Sequence, residues 1–285
     1  MLPTFVIGLR EGLEAALIIG IIAAFLSQQG RRDALRWMWL GALIAVLLCG
    51  AAAWGLHVAE ENLPQREQEQ LETIIALVAV GMITWMIVWM RRHSADLKGD
   101  LQSKASVALV EGSALGLIVM AFLAVLREGL ETSVFMLAAF QQSDRPGLTG
   151  TGALLGVAVA VVLGYLIYRG GVKLNLSKFF RATGVVLVLV GAGLLAFAVH
   201  TAHEAGWWHL LLDRAVDLTW LIDPGSVQSA LITGMFGIQP EPTWGELLAF
   251  FAYAVPMTVY VCRPQRPQAR ADATPTPVSP SVESV

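Results

Sequence analysis

The sequence predicts an all-α polytopic membrane protein: seven transmembrane helices, laid out as a 3+3 inverted repeat plus one. Three observations carry that prediction. The 285 residues are 56% hydrophobic and 14% charged, with a mean hydropathy of +0.64. A water-soluble domain is about 45–50% apolar and about a quarter charged. Seven segments, roughly 4–27, 37–59, 71–90, 118–141, 151–169, 182–203 and 246–262, approach the about 20 apolar residues that cross a bilayer. Finally, Leu9-Arg-Glu-Gly-Leu-Glu14 recurs letter for letter as Leu126-Arg-Glu-Gly-Leu-Glu131, at an offset of 117.

The elements follow in order. No Lys or Arg precedes the first apolar stretch, so 4–27 reads as a span and not as a cleavable signal. Spans two and five match weakly through Leu40-Gly41 and Leu155-Gly156, and through Ala45-Val46 and Ala160-Val161. Spans three and six match through Thr73, Leu77-Val78 and Val80-Gly81 against Thr183, Leu187-Val188 and Val190-Gly191. Repeat one therefore covers about 4–90 and repeat two about 118–203. Three spans per unit is odd, so the second unit enters the bilayer inverted, an arrangement typical of transporters. The moderately apolar stretch 100–117 reads as an amphipathic helix or an extension of span four.

Residues 204–245 hold short apolar pieces (Trp207–Leu212, Leu218–Ile222, Ala230–Phe236), broken by acids and prolines. They read as interfacial helices in a long external segment. The seventh span, 246–262, closes a seven-helix domain over 1–262. The proline-rich tail 263–285 reads as disordered and cytoplasmic.

Orientation comes from the cations. Of 19 Lys and Arg, fourteen fall in the loops after spans one, three, five and seven. Three, Arg66, Arg145 and Arg214, fall on the other side, and Arg10 and Arg127 lie within spans. The N-terminus is therefore expected outside and the C-terminus inside. A net charge of −3 and a pI near 6.0 exclude a nucleic-acid binder working through a basic surface. Two cysteines, Cys49 and Cys262, are too few for a disulfide framework and read as inert small hydrophobes.

The chemistry sits in the repeated motif. Each intramembrane charge costs about 2.5–3.5 kcal/mol on insertion scales, so Arg10, Glu11, Glu14, Arg127, Glu128 and Glu131 need partners. Helical spacing puts Arg10 over Glu14 and Arg127 over Glu131, with two acids for each base. Gly12 and Gly129 allow a second helix to come close. Glu14 and Glu131 each lie ten residues from the outer end of their span. That is about 15 Å deep, near the midplane of a hydrocarbon core about 30 Å thick.

Four carboxylates at one level suit a hard cation, and no Cys or Met accompanies them in the motif. The competing reading, that each Arg only neutralises its Glu to cement helix packing, leaves the surplus negative charge and the duplication unexplained. Lesser candidates are the acids Glu60, Glu61, Glu67, Glu69 and Glu72, which would concentrate cations at an outer mouth. His200, His203 and Glu204 share one face at the end of span six and could pass on a borderline metal. Glu111 reads as the wet face of an amphipathic helix. Met82, Met86 and Met90 read as packing residues.

At Arg10–Glu14 and Arg127–Glu131 the chain resembles the oxidase-dependent iron permeases, that is, the fungal high-affinity iron permeases and the bacterial EfeU-type ferrous iron permeases. Their signature is Arg-Glu-x-Leu-Glu in the first and fourth of seven spans. Glu69-x-x-Glu72 matches the family's external Glu-x-x-Glu pattern. Gln65-Arg-Glu-Gln-Glu69 and the His203-Glu204-Ala-Gly206 turn look like the bacterial branch.

The resemblance implies an inner-membrane iron importer, a transporter and not an enzyme, with no permanently bound cofactor and iron, Fe2+ or Fe3+, as cargo. It implies Glu11, Glu14, Glu128 and Glu131 as iron ligands, Arg10 and Arg127 as charge-balancing groups, and Glu69 and Glu72 as an external receiving site, to which Glu67 is added as a further entry residue. It also implies a periplasmic haem peroxidase and a cupredoxin-like protein as partners. A lead transporter of the same fold is one alternative. A carboxylate-bridged di-iron enzyme is another, but such sites typically use Glu-x-x-His pairs, and neither motif contains a His.

Overall fold

The computed structural model describes residues 1–28, 30, 32–93, 114–143, 146–168, 176–207, 209, 211–217 and 240–263. Among them run seven helices: α1 (Leu2–Gln28), α2 (Arg32–Glu61), α3 (Gln65–His93), α4 (Ala114–Gln141), α5 (Pro146–Tyr168), α6 (Leu176–Glu204) and α7 (Trp244–Cys262). Five of them, α2, α3, α5, α6 and α7, are long and apolar enough to cross a membrane. The other two, α1 and α4, carry the Arg-Glu-Gly-Leu-Glu turns. In hydrocarbon every backbone N–H and C=O must be satisfied internally, which a continuous helix achieves.

Helix directions follow from the contacts. Gly8 of α1 lies against Ala153 of α5 and Gly12 against Ala160, so α1 and α5 run parallel. Gly41 of α2 lies against Phe122 of α4, Gly129 against Cys49, and Gln141 Nε2 donates to Glu60 Oε1 at 2.8 Å, so α2 and α4 are also parallel. Ile22 and Leu26 of α1 share a cluster with Ala121 of α4, while Glu11 meets Glu128, so α1 and α4 are antiparallel. The central cluster joins α3, α4 and α6 through Ile83, Met86, Phe135, Leu187 and Leu194, with Ile7 of α1. Thr84 meets Tyr253 Oη at 2.8 Å, Gly191 faces the same tyrosine, and Thr73 meets Thr201 at 2.8 Å.

The outer faces of α2 and α5 are left bare. Leu47, Trp54, Leu154 and Val161 are exposed there, along with other large apolar side chains. Such a surface is a liability in water and the normal solvent-facing surface in lipid.

Two expectations change. The acidic stretch before span three is helical from Gln65, because Pro64 accepts from the N–H groups of Glu67 and Gln68 at 2.9 and 3.0 Å. Glu67, Glu69 and Glu72 thus sit on the first turns of α3, which begins before the span expected at 71–90. The piece Trp207–Leu212, expected as an interfacial helix, is not helical where described. Gly206, at φ +76°, ends α6 in a Schellman turn: Trp207 N–H reaches Ala202 O at 2.9 Å and Gly206 N–H reaches His203 O at 3.0 Å. Leu211 is held at φ 61°, and its carbonyl accepts from Gly245 N–H at 3.2 Å, stapling the segment to the start of α7. The pieces at 218–222 and 230–236, most of the stretch 100–117 with Glu111, and the tail beyond residue 263 lie outside the described residues.

Candidate metal centre

The two motif turns meet where α1 crosses α4. Gly12 and Gly129 face away from that crossing, against α5 and α2. A Cβ on Gly12 would sit 2.9 Å from the Ala160 methyl, and one on Gly129 would sit 2.7 Å from Cys49 Sγ. Each motif helix therefore seats tightly on a parallel neighbour, which fixes the register of the charged turn on its opposite side.

Carboxylate oxygens of Glu11, Glu128 and Glu131 all lie within 4.8 Å of one another, so one ion could touch all three. Glu11 and Glu128 are buried, and among the described residues Oε2 of each has no hydrogen-bond partner. A buried, unsatisfied acceptor costs about 1–3 kcal/mol, more when charged. An arriving cation would supply what these oxygens lack. The donors are hard oxygens, matched to a hard or borderline cation. Glu14 stands slightly apart. It pairs with Arg10 Nη2 at 3.3 Å and lies within electrostatic range of Glu131 and Arg127.

The two arginines are paired as their spacing predicted, yet their surroundings differ. Arg10, 1% exposed, has Nη1 3.3 Å from Glu11 Oε1. Its guanidinium also contacts the Met86 and Met90 sulfurs and stands over the Phe180 ring at 5.9 Å. Arg127, with its side chain 59% exposed, reaches Glu131 at 3.0 Å and Glu128 at 3.9 Å, with Trp89 6.0 Å away. Met86 and Met90, expected as packing residues, thus make polar contacts to a buried cation as well. The signal available in the sequence was their one-turn spacing on a span facing the motif, but nothing in that spacing names Arg10.

A second group gathers where the C-terminal end of α6 meets the N-terminal ends of α3 and α7. His200 Nδ1 lies 3.0 Å from Glu246 Oε1 and its Nε2 lies 3.5 Å from Glu204 Oε1. Glu246 was missed in the sequence because it reads as the first residue of a span. Its isolation among apolar neighbours was the available clue. Glu69 lies within electrostatic range of His200, and Glu72 within range of Glu60, Glu69 and Glu204. Gln65 and Gln68 donate to Glu69 and Glu72 at 3.1 and 3.3 Å. Glu67 is exposed. The His203 ring lies beside Gly245, also at the start of α7. Glu60, 5% exposed, is held by Gln141.

Known proteins resemble the chain along nearly its whole length. Residues 1–264 match the iron permease FTR1 family. The chain is 42% identical over 273 residues to the ferrous iron permease EfeU of Shigella sonnei (strain Ss046), covering 95% of this chain and 99% of that one. The Escherichia coli O157:H7 protein of the same name gives the same figures. The ferrous iron permease EfeU of Yersinia pestis is 41% identical over 268 residues, 93% of this chain and 95% of that one. No solved structure matches the chain.

Proposed function

This chain belongs to the iron permease FTR1 family, and we propose that it imports iron across a bacterial inner membrane through a carboxylate site built by its two Arg-Glu-Gly-Leu-Glu turns. The observation that carries this reading is the convergence of Glu11, Glu128 and Glu131 oxygens within 4.8 Å of one another. Glu14 supplies a fourth carboxylate one turn along α1. Arg10 and Arg127 offset part of the charge: four carboxylates against two guanidiniums leave two negative charges, which one divalent cation balances. The relatives are named ferrous iron permeases, so ferrous iron is the proposed cargo.

Helix directions support the inverted-repeat reading. α1 pairs with α5 as α4 pairs with α2, each parallel, while α1 and α4 run antiparallel. That is the pattern expected when a two-fold axis in the membrane plane exchanges the two halves. The cation census supports an N-terminus outside and a C-terminus inside. On that orientation Glu67, Glu69 and Glu72 gather iron outside, and His200, His203 and Glu204 form a transfer site below them. The family resemblance adds a periplasmic haem peroxidase and a cupredoxin-like protein as partners that handle redox chemistry.

Purified protein in proteoliposomes tests the proposal. Radio-iron is supplied separately as ferrous and as ferric ion, and lead is supplied in a third arm. Ferrous uptake that disappears in Glu14→Gln and in Glu131→Gln is expected. Full uptake by both correctly inserted variants would reject the site, and uptake of lead alone would favour a lead transporter of the same fold.

A further inference from the structure

The group at the outer ends of α6 and α7 has a geometry that the central site lacks. Glu246 is 4% exposed and stands in the first turn of α7, whose N-cap is Thr243. That turn is pinned against α6, since Gly245 lies under the His203 ring and the Val199 side chain. That close packing fixes where the first turn of α7 places the Glu246 carboxylate. It meets His200 Nδ1 at 3.0 Å. A carboxylate at one ring nitrogen keeps the proton there, sets the tautomer and turns the lone pair of the other nitrogen outward. Metal-ligating histidines are commonly oriented this way.

The outward nitrogen, Nε2, faces Glu204 Oε1 at 3.5 Å. A neutral ring would set its lone pair against a carboxylate oxygen at that separation, so either a proton or a metal ion belongs between the two atoms, and a divalent cation arriving there displaces the proton. Ligand bonds of about 2.0–2.2 Å at a tetrahedral angle place N and O about 3.4 Å apart, close to the observed spacing. Other charges facing the pair are Glu69 and Glu72 from α3, and His203 lies one turn away on α6.

We propose that His200 Nε2 and Glu204, with Glu246 as the residue that orients the imidazole, form a second metal site at the outer mouth that takes a borderline divalent cation before it moves to the central carboxylates. The inference rests on the permease reading and adds a selectivity to it. One imidazole in the donor set favours ferrous iron and similar divalent ions over calcium or magnesium, which prefer all-oxygen ligands. Glu246 is a positioning residue here and touches no metal.

Divalent manganese bound to the purified full-length protein separates this site from the central one, because only the outer site offers a nitrogen ligand. Pulsed electron paramagnetic resonance is expected to show nitrogen modulation from bound Mn2+. That modulation should vanish in His200→Ala and persist in Glu128→Gln. In Glu246→Gln the nitrogen-coupled site should weaken about 10–100-fold, with partial recovery in Glu246→Asp and no change in affinity at the central site. Absence of nitrogen coupling at saturating Mn2+, or its persistence in His200→Ala, would overturn the outer site. Unchanged affinity in Glu246→Gln would overturn the orienting role. The permease reading stands or falls separately, on whether Glu128→Gln removes the nitrogen-free site.

Discussion

The two arginines show how one motif acquires two environments. Arg10 is enclosed by Glu11, Glu14, Met86, Met90 and Phe180, whereas most of the Arg127 side chain is exposed. Removing a buried cation strands the carboxylates it neutralised, a loss of about 3–5 kcal/mol. Arg127 is less enclosed and has fewer partners to strand, Glu131 at 3.0 Å and Glu128 at 3.9 Å, so removing it costs less. Arg10→Ala should therefore lower the unfolding midpoint of the detergent-solubilised protein far more than Arg127→Ala does, and equal losses would contradict the asymmetry. The pairing of each Arg with the Glu four residues on was legible, because it is local helix geometry. The asymmetry was not, because it depends on α3 and α6, which lie far away in the chain. For the same reason the partners of Glu246, Met86 and Met90 could not be named from the sequence, whereas Glu11, Glu128 and Glu131 announced themselves as acids inside apolar runs.

Among the helices, contacts through small residues hold the motif turns in register. A methyl added at Gly129 would lie 2.7 Å from Cys49 Sγ, whereas one added at Gly20 meets nothing within 4 Å. Gly129→Ala is expected to destabilise by about 1–3 kcal/mol, and Gly20→Ala to be neutral or stabilising by up to about 1 kcal/mol. Cys49→Ala should rescue much of the Gly129→Ala loss, and thermal unfolding of the two singles and the double measures that coupling. Strict additivity would mean that the two residues do not touch in the folded protein. Helix positions were legible from hydropathy to within a few residues, except where a turn overrode it. Gly206 and Leu211, both at positive φ, end α6 and redirect the chain where the apolar piece Trp207–Leu212 suggested another helix. Backbone conformation of that kind leaves little trace in a hydropathy pattern.

Considered as one molecule, the chain folds so that two motif turns 117 residues apart share one carboxylate cluster. The letter-for-letter repeat made that juxtaposition legible, since identical turns on two antiparallel helices come to one level where the helices cross. Sidedness is tested by single cysteines placed at Gln68 and at Arg36 in a variant lacking Cys49 and Cys262. An impermeant maleimide should label the first in intact spheroplasts and the second only after permeabilisation, and the reverse pattern would invert the orientation. For iron passage itself, the decisive observation is where the metal binds. Anomalous scattering at the iron absorption edge, from crystals of the protein loaded with ferrous iron, should give a peak among the carboxylates of Glu11, Glu128 and Glu131 that disappears in Glu128→Gln. A peak that survives that substitution, or iron bound only away from the α1–α4 crossing, would contradict a pathway through the two motifs.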